Sequence, residues 1–356
     1  MEESHDVALA ELTTMRVGGP AARLVTATTT DELVDAVREV DDADQPLLVV
    51  SGGSNLVIAD DGFAGTVVVV RTSGIHVESA DACGGANVRV AAGEHWDGFV
   101  DRSVAEGWAG IEALSGIPGL VGATPIQNVG AYGQEVAQTI SRVRAWDRQD
   151  QAVRTFANAD CAFTYRHSRF KGTDRYVVLE VEFQLESADL SRPVGYAALA
   201  TGLGVDLGTR VPLADARDAV LSQRRQRGMV LDADDHDTWS CGSFFTNPIV
   251  SASEFSQFAA RASERLGDDV SIPQWPDSDG RTKLSAAWLI DNAGFHKGHG
   301  MPGPVALSTK HTLAVTNRGG ATATDVATFA CGIRDGVRDA FGVTLVNEPV
   351  FVGHAL

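Results

Sequence analysis

The chain of 356 residues has a net charge of −18, with 44% hydrophobic and 21% charged residues, the make-up of an ordinary globular protein long enough for two or three domains. Only Lys171, Lys283, Lys297 and Lys310 are lysines among 29 basic residues, which argues against a general nucleic-acid surface and requires any anionic ligand to be held locally. Residues 1–12 lack the basic and apolar parts of a signal peptide, no apolar run approaches the ~20 residues of a membrane span, and Cys83, Cys161, Cys241 and Cys331 have neither disulfide nor metal spacing; a cytoplasmic protein with free thiols and no metal is expected.

Residues 12–20, LTTMRVGGP, form a glycine-punctuated entry to a strand at 21–26. Thr29 and Glu32 fit a capping box, and Leu33, Val34, Val37 and Val40 repeat at helical spacing behind it. After Pro46 a short buried strand at 47–50 runs into Ser51, Gly52, Gly53, Ser54 and Asn55. This turn is a phosphate-loop candidate, and a structural turn is an equally good reading of it alone. It is neither a GxGxxG fingerprint nor a P-loop: no Gly-Lys-Ser/Thr follows, and residues 56–58 lead through Asp60-Asp61-Gly62 into a strand at 66–71 with no room for a crossover helix.

A strand at 88–91 and a helix at 94–106 burying Trp96, Phe99, Val100 and Val104 precede the least regular stretch, GIPGLVGATPIQNVGAYG at 116–133. Gly116, Gly119, Gly122, Gly130 and Gly133 with Pro118 and Pro125 rule against helix or regular strand. They suit a backbone that lies against a ligand and offers its N–H groups to phosphate oxygens. Strands follow at 140–146 and 152–156, then Leu179, Val181, Phe183 and Leu185 alternate with Glu180, Glu182 and Gln184 as in a half-buried antiparallel strand. A helix at 213–227 ends in Arg224, Arg225 and Arg227, cations that serve either the helix dipole or a diphosphate. Composition shifts near residue 228. SCGSFFTNP at 240–248 is a polar and aromatic cluster, 283–292 reads as a short apolar helix, Thr322 and Asp325 open a last amphipathic helix with Val326, Phe329, Ile333, Val337 and Phe341 inward, and 343–353 is strand-like. The whole reads as α+β.

Together TTMRVGGPA, SGGSN, IPGLVGATPIQNVGAYG, YRHSRFK, GSFFTNP, KLSAAWLI and LVNEPVFVG resemble, in order and nearly end to end, the UDP-N-acetylenolpyruvoylglucosamine reductase family of flavoenzymes in peptidoglycan precursor synthesis. The resemblance implies a two-subdomain FAD-binding fold of the vanillyl-alcohol-oxidase type plus a C-terminal α/β substrate-binding domain. Residues 1–72 and 73–227 would be the FAD-binding subdomains and 228–341 the substrate-binding domain, with 342–356 returning to the active site. It also implies non-covalent FAD, NADPH as hydride donor and a UDP-sugar substrate; nucleic-acid or membrane partners are not expected, and a monomer is. FAD would be held by Ser51, Gly52, Gly53, Ser54, Asn55, Gly116, Pro118, Gly119, Gly122, Thr124, Gln127, Asn128 and Gly130. Tyr132, Tyr196, Arg224, Arg227 and Asn247 would bind substrate, Arg227 standing where many members have lysine. Arg166 would stabilise an enolate, Ser243 would protonate C2, and Glu348 would assist at the anion. Two rivals are an oxygen-using flavoenzyme of the same fold class acting on an alcohol or hydroxy acid, and a non-catalytic nucleotide-sugar sensor.

Overall fold

A computed structural model describes residues 1–356, apart from the side chain of Ser278, and the chain divides into two units. One comprises Met1–Val7, Ala21–Gly53 and Phe63–Val230, the other Ala8–Pro20, Ser54–Gly62 and Leu231–Leu356.

The first unit has two large sheets and one small two-stranded one, Gly130–Ala131 antiparallel to Gln134–Glu135. In one large sheet, Pro20–Ala27 and Leu47–Val50 flank Phe63–Val70, both parallel to it, with Glu2–Ser4 antiparallel on the outer edge. Parallel neighbours need a dozen or so residues of connection. Helix α1 (Thr30–Asp42) supplies the first crossing. The second has no helix, as the sequence implies; residues 51–62 make it, and their Ser54–Gly62 part belongs to the other unit. Thr29 caps α1 by accepting from Glu32 N–H at 3.2 Å. The reciprocal half of the box goes elsewhere, because the Glu32 carboxylate takes the Thr28 N–H at 2.8 Å.

The other large sheet is antiparallel, ordered Ala152–Ala157, Ile140–Asp147, Tyr176–Ser187, Gly85–Ala91, Ile75–Asp81. Its central strand, Tyr176–Ser187, carries the alternation read from sequence: Leu179, Val181, Phe183 and Leu185 are buried. Helix α2 (Trp96–Ala105) packs there through Trp96, whose ring lies 6.0 Å from Phe183, and Phe99, at 5.0 Å from the same ring. The edge strand Ile75–Asp81 has no counterpart in the sequence reading, since a mostly exposed strand shows no buried face. Helix α3 (Ala197–Leu203) was equally unmarked, and α4 (Leu213–Gln226) packs with it around Val194, Leu199, Ala216 and Val220.

The second unit is built on α5 (Ala252–Leu266), α6 (Ala286–Asn292) and α7 (Ala323–Phe341), with three small sheets. Its core gathers Phe244, Phe245, Phe258, Leu289, Ile333, Val337 and Phe341 together with Met15, Val17 and Val57 from early in the chain. Thr322 and Asp325 do form a full capping box on α7. The helix expected over 283–292 is shorter: Thr282–Leu284 is a strand between Ile249–Val250 and Gln274–Pro276, and Ser285 caps α6. Of the strand-like 343–353 only Val350–Val352 is a strand, paired in parallel with Leu56–Ile58.

Candidate functional site

In the first unit the two glycine-rich segments meet. A Cβ on Gly52 would lie 2.5 Å from the Gly119 Cα, so only glycine lets these backbones touch. Ser51 follows Leu47–Val50 and Arg71 follows Phe63–Val70, placing both just beyond the carboxyl ends of paired parallel strands, where ligands of such sheets bind. Arg71 was not foreseen. Its Nη1 donates to the Ser51 carbonyl at 3.2 Å and the Val70 carbonyl at 2.7 Å, and burial lowers its pKa. Among the described residues the buried Ser51 Oγ has no hydrogen-bond partner, an unusual cost for a native interior. Main-chain donors, an unsatisfied hydroxyl and a desolvated cation together fit a dinucleotide diphosphate, so the residues present suit FAD.

The rest of the glycine segment is braced from within. Gly116 N–H donates to Asp97 Oδ1 on α2 at 2.6 Å, and Arg217 on α4 grips the same carboxylate at 2.7 and 2.9 Å. Thr124 donates to the Val121 carbonyl at 2.8 Å. Asn128, at φ +47, uses its amide on Glu135, the Thr164 carbonyl and the Ala137 N–H. Both side chains therefore shape the loop, whatever their atoms offer a cofactor. Gln127 is half-buried beside them.

Arg166 is tied to this loop. It sits at φ +53, and its guanidinium donates to the carbonyls of Gly130 at 2.6 Å and Asn128 at 3.3 Å, with Glu135 at 3.6 Å. A Cβ on Gly130 would come within 2.9 Å of the Arg166 Nη1. Left-handed backbone at a non-glycine residue costs free energy and marks sites where position matters.

Farther along the same unit, the Tyr132 and Tyr196 rings meet edge to face at 5.4 Å. Burial raises the Tyr132 pKa, and the charges of Arg224 and Arg227 oppose the shift, so four of the five residues expected to bind substrate share one neighbourhood. Arg224 is the tensest of them. Burial pushes its guanidinium down to about 10, its Nη2 donates to the Met229 carbonyl at 2.6 Å, and its buried Nε has no partner among the described residues. A cavity of about 390 Å³ opens beside them, lined by Tyr132, Glu112, Gln134, Ser191, Val194 and Val220. A desolvated guanidinium with an unpartnered N–H is suited to an anion.

Ser243 and Glu348 come together in the second unit. Glu348 N–H donates to the carbonyl of Phe244, the residue after Ser243, at 2.8 Å, and Phe245 pairs with Asn347. Beneath them the Cys241 thiol is pushed up to about 12 by burial and by the Glu348 charge. Asn247 accepts from Ala286 N–H at 3.0 Å, at the start of α6. Asn55 lies in this unit too, its amide on the Glu348 carbonyl at 3.1 Å.

Residues 21–155 match the FAD binding domain family, and residues 234–352 match the family described as UDP-N-acetylenolpyruvoylglucosamine reductase, C-terminal domain. The chain is 59% identical to the UDP-N-acetylenolpyruvoylglucosamine reductase of Streptomyces avermitilis, covering 99% of this chain and 96% of that one. It is 58% identical to that of Thermobifida fusca, covering 99% of each. The crystal structure of UDP-N-acetylenolpyruvylglucosamine reductase from Thermus caldophilus has the same fold, with a TM-score of 0.63 at 23% identity over 99% of this chain and 98% of that one. The chain therefore belongs to the UDP-N-acetylenolpyruvoylglucosamine reductase family and is an FAD-dependent oxidoreductase of peptidoglycan precursor synthesis.

Proposed function

We propose that this protein reduces UDP-N-acetylglucosamine enolpyruvate to UDP-N-acetylmuramate with NADPH, acting as a cytoplasmic monomer. Residues 1–72 and 73–227 hold FAD in this reading, and 228–341 serve the sugar nucleotide. The observation that supports it is the main-chain bond from Glu348 to Phe244, which joins the main chain of Glu348 to the segment that carries Ser243 although 105 residues separate the two (348 − 243). Bound FAD supplies the relay of a hydride from NADPH to C3 of the enolpyruvyl group. The chain supplies everything else. Hydride arrival at C3 drives negative charge onto the substrate carboxylate as an enolate, and the planar fork of Arg166 suits that charge. Ser243 delivers the proton that C2 needs, completing the lactyl ether. A carboxyl beside a developing anion helps only when neutral or sharing a hydrogen bond, which is the condition placed on Glu348. Tyr132, Tyr196, Arg224, Arg227 and Asn247 bind the sugar nucleotide, Arg224 and Arg227 taking the diphosphate.

The half-reactions separate the claims. In anaerobic stopped flow, NADPH should bleach the flavin and the enolpyruvyl substrate should restore its colour. Ser243→Ala should keep the first step and slow the second by roughly 10²-fold or more. No restoration of colour by the substrate in the unaltered protein would sink the assignment, and equal loss of both steps in Ser243→Ala would make that serine structural.

A further inference from the structure

Asn55 precedes the strand Leu56–Ile58, and its side-chain amide and its carbonyl both meet the C-terminal segment of the second unit. Its Nδ2 donates to the Glu348 carbonyl at 3.1 Å across 293 residues of sequence. Its own carbonyl accepts from Val350 N–H at 2.9 Å. From there the parallel ladder runs on, with Val350 opposite Leu56, Phe351 opposite Val57 and Val352 opposite Ile58.

Pro349 stands immediately before that ladder. It has no N–H to give, so the main chain between Glu348 and Val350 offers one tie fewer than an ordinary strand, and the Asn55 amide supplies a replacement from the side. The opposite face is fixed as well: Glu348 N–H donates to the Phe244 carbonyl at 2.8 Å, and Cys241, three residues earlier, reaches the Leu56 carbonyl with its Sγ at 3.5 Å. Glu348 is thus held at its N–H by the segment that carries Ser243 and at its carbonyl by Asn55. A residue gripped at both peptide groups has its Cα–Cβ direction set, which fixes the point from which its carboxyl reaches out.

We infer that Asn55 is the positioning residue for Glu348, acting in the reduction of the enolpyruvyl group through the main chain of that glutamate. This rests on the reaction proposed above. A misplacement of about 1 Å can cost roughly 100-fold in rate. With the Phe244 and Val350 ties intact, loss of the Asn55 donor should cost less, about tenfold.

The test is a double-mutant comparison on the FAD-loaded enzyme. Asn55→Asp keeps the side-chain shape and replaces the donor by a carboxylate facing a carbonyl; Asn55→Ala removes the donor without adding charge. Flavin content, NADPH-driven bleaching and recovery of colour with UDP-N-acetylglucosamine enolpyruvate are each measured in the unaltered and Glu348→Gln backgrounds. The expected result, read per bound flavin, is recovery slowed about tenfold more than bleaching at saturating substrate, half-saturation moved less than about twofold, and less than about twofold further loss of recovery when Asn55→Asp is added to Glu348→Gln. Full multiplication of the two losses would overturn the proposal, as would equal slowing of bleaching, or a loss accounted for wholly by missing flavin. If the unaltered enzyme bleaches but does not recover, the reaction assignment itself fails and this inference with it. Recovery in the unaltered enzyme with no slowing in either Asn55 variant overturns this inference alone.

Discussion

Gly52→Ala adds one methyl group where the two glycine segments of the first unit touch. The new Cβ would lie 2.5 Å from the Gly119 Cα, 3.1 Å from its carbonyl carbon and 3.2 Å from the Leu120 nitrogen. Carbon atoms in good contact sit at about 3.5–4.0 Å, so one backbone must retreat by about 1 Å. Neither can do so freely. All three opposing atoms are main chain, and Gly119 is itself fixed at φ +121 with its carbonyl accepting from Trp96 N–H at 3.1 Å, at the foot of a fully buried ring. Overpacking of this kind costs about 1–3 kcal/mol, and at roughly 2–4 °C per kcal/mol for a unit of this size the melting temperature should fall by on the order of 5 °C. The same displacement pulls apart the two sets of main-chain donors, so FAD affinity should fall about tenfold, the equivalent of ~1.4 kcal/mol. Differential scanning calorimetry and flavin titration measure the two effects. Gly98→Ala is the control: a Cβ there meets only the His95 Cβ, at 3.7 Å on an exposed turn of α2, and alanine should gain up to about 1 kcal/mol of helix propensity. A Gly52→Ala protein that melts like the unaltered one and binds FAD equally well would refute the contact argument.

Three further outcomes follow from the charges. Burial holds the Arg224 guanidinium at about 10, below its ordinary 12.5, so the folded state disfavours the cation at every pH below about 10 and recovers stability only as pH rises above that; Arg224→Met should leave the ligand-free protein as stable or about 1–2 kcal/mol more stable, and should abolish the rise in melting temperature on adding UDP. For Asp97, burial raises the pKa, but Arg217 and the Gly116 N–H outweigh it and hold the carboxyl below its usual value. Its contribution is therefore complete above about pH 4 and lost as pH falls through the lowered value; Asp97→Asn, on a side chain 39% exposed, should cost about 1–2 kcal/mol at pH 7 in urea unfolding, with the gap closing in acid. The Cys161 and Cys241 thiols are pushed up to about 12 by burial, so iodoacetamide at pH 8 followed by peptide mass mapping should find the exposed Cys83 labelled and those two untouched, and their contribution to stability should fall as pH rises from about 9 toward 12.

What could be read in advance depended on whether a residue's own side chain carried the constraint. Glycines at 52 and 130 are needed because a Cβ would strike main chain or the Arg166 guanidinium, and at 119 because the backbone sits at φ +121, and glycine is visible in a sequence. The alternation of Leu179 to Leu185 records a sheet with one buried face, and Thr322 with Asp325 records a helix start. Ile75–Asp81 left no such record, being an edge strand with almost nothing buried. Nor did the enlistment of Met15, Val17 and Val57 into the core around Phe244 and Phe341, because short apolar runs say that they are buried and not against what.

The three proposed reactive residues, Arg166, Ser243 and Glu348, are named by the resemblance to the family and not by any pattern of their own, and their supports are named by neither. Arg166 is held by the carbonyls of Asn128 and Gly130, and Glu348 by the Phe244 carbonyl and the Asn55 amide. All but one of these supports are main-chain oxygens, which every residue has and no sequence distinguishes. The exception, Asn55, stands in a glycine-rich turn where an asparagine is expected to serve the turn itself. Its amide donates to a carbonyl 293 residues away. A side chain that works on its neighbour's main chain leaves a signature that points to the wrong place, and such residues are where the geometry of a site has to be measured and not inferred.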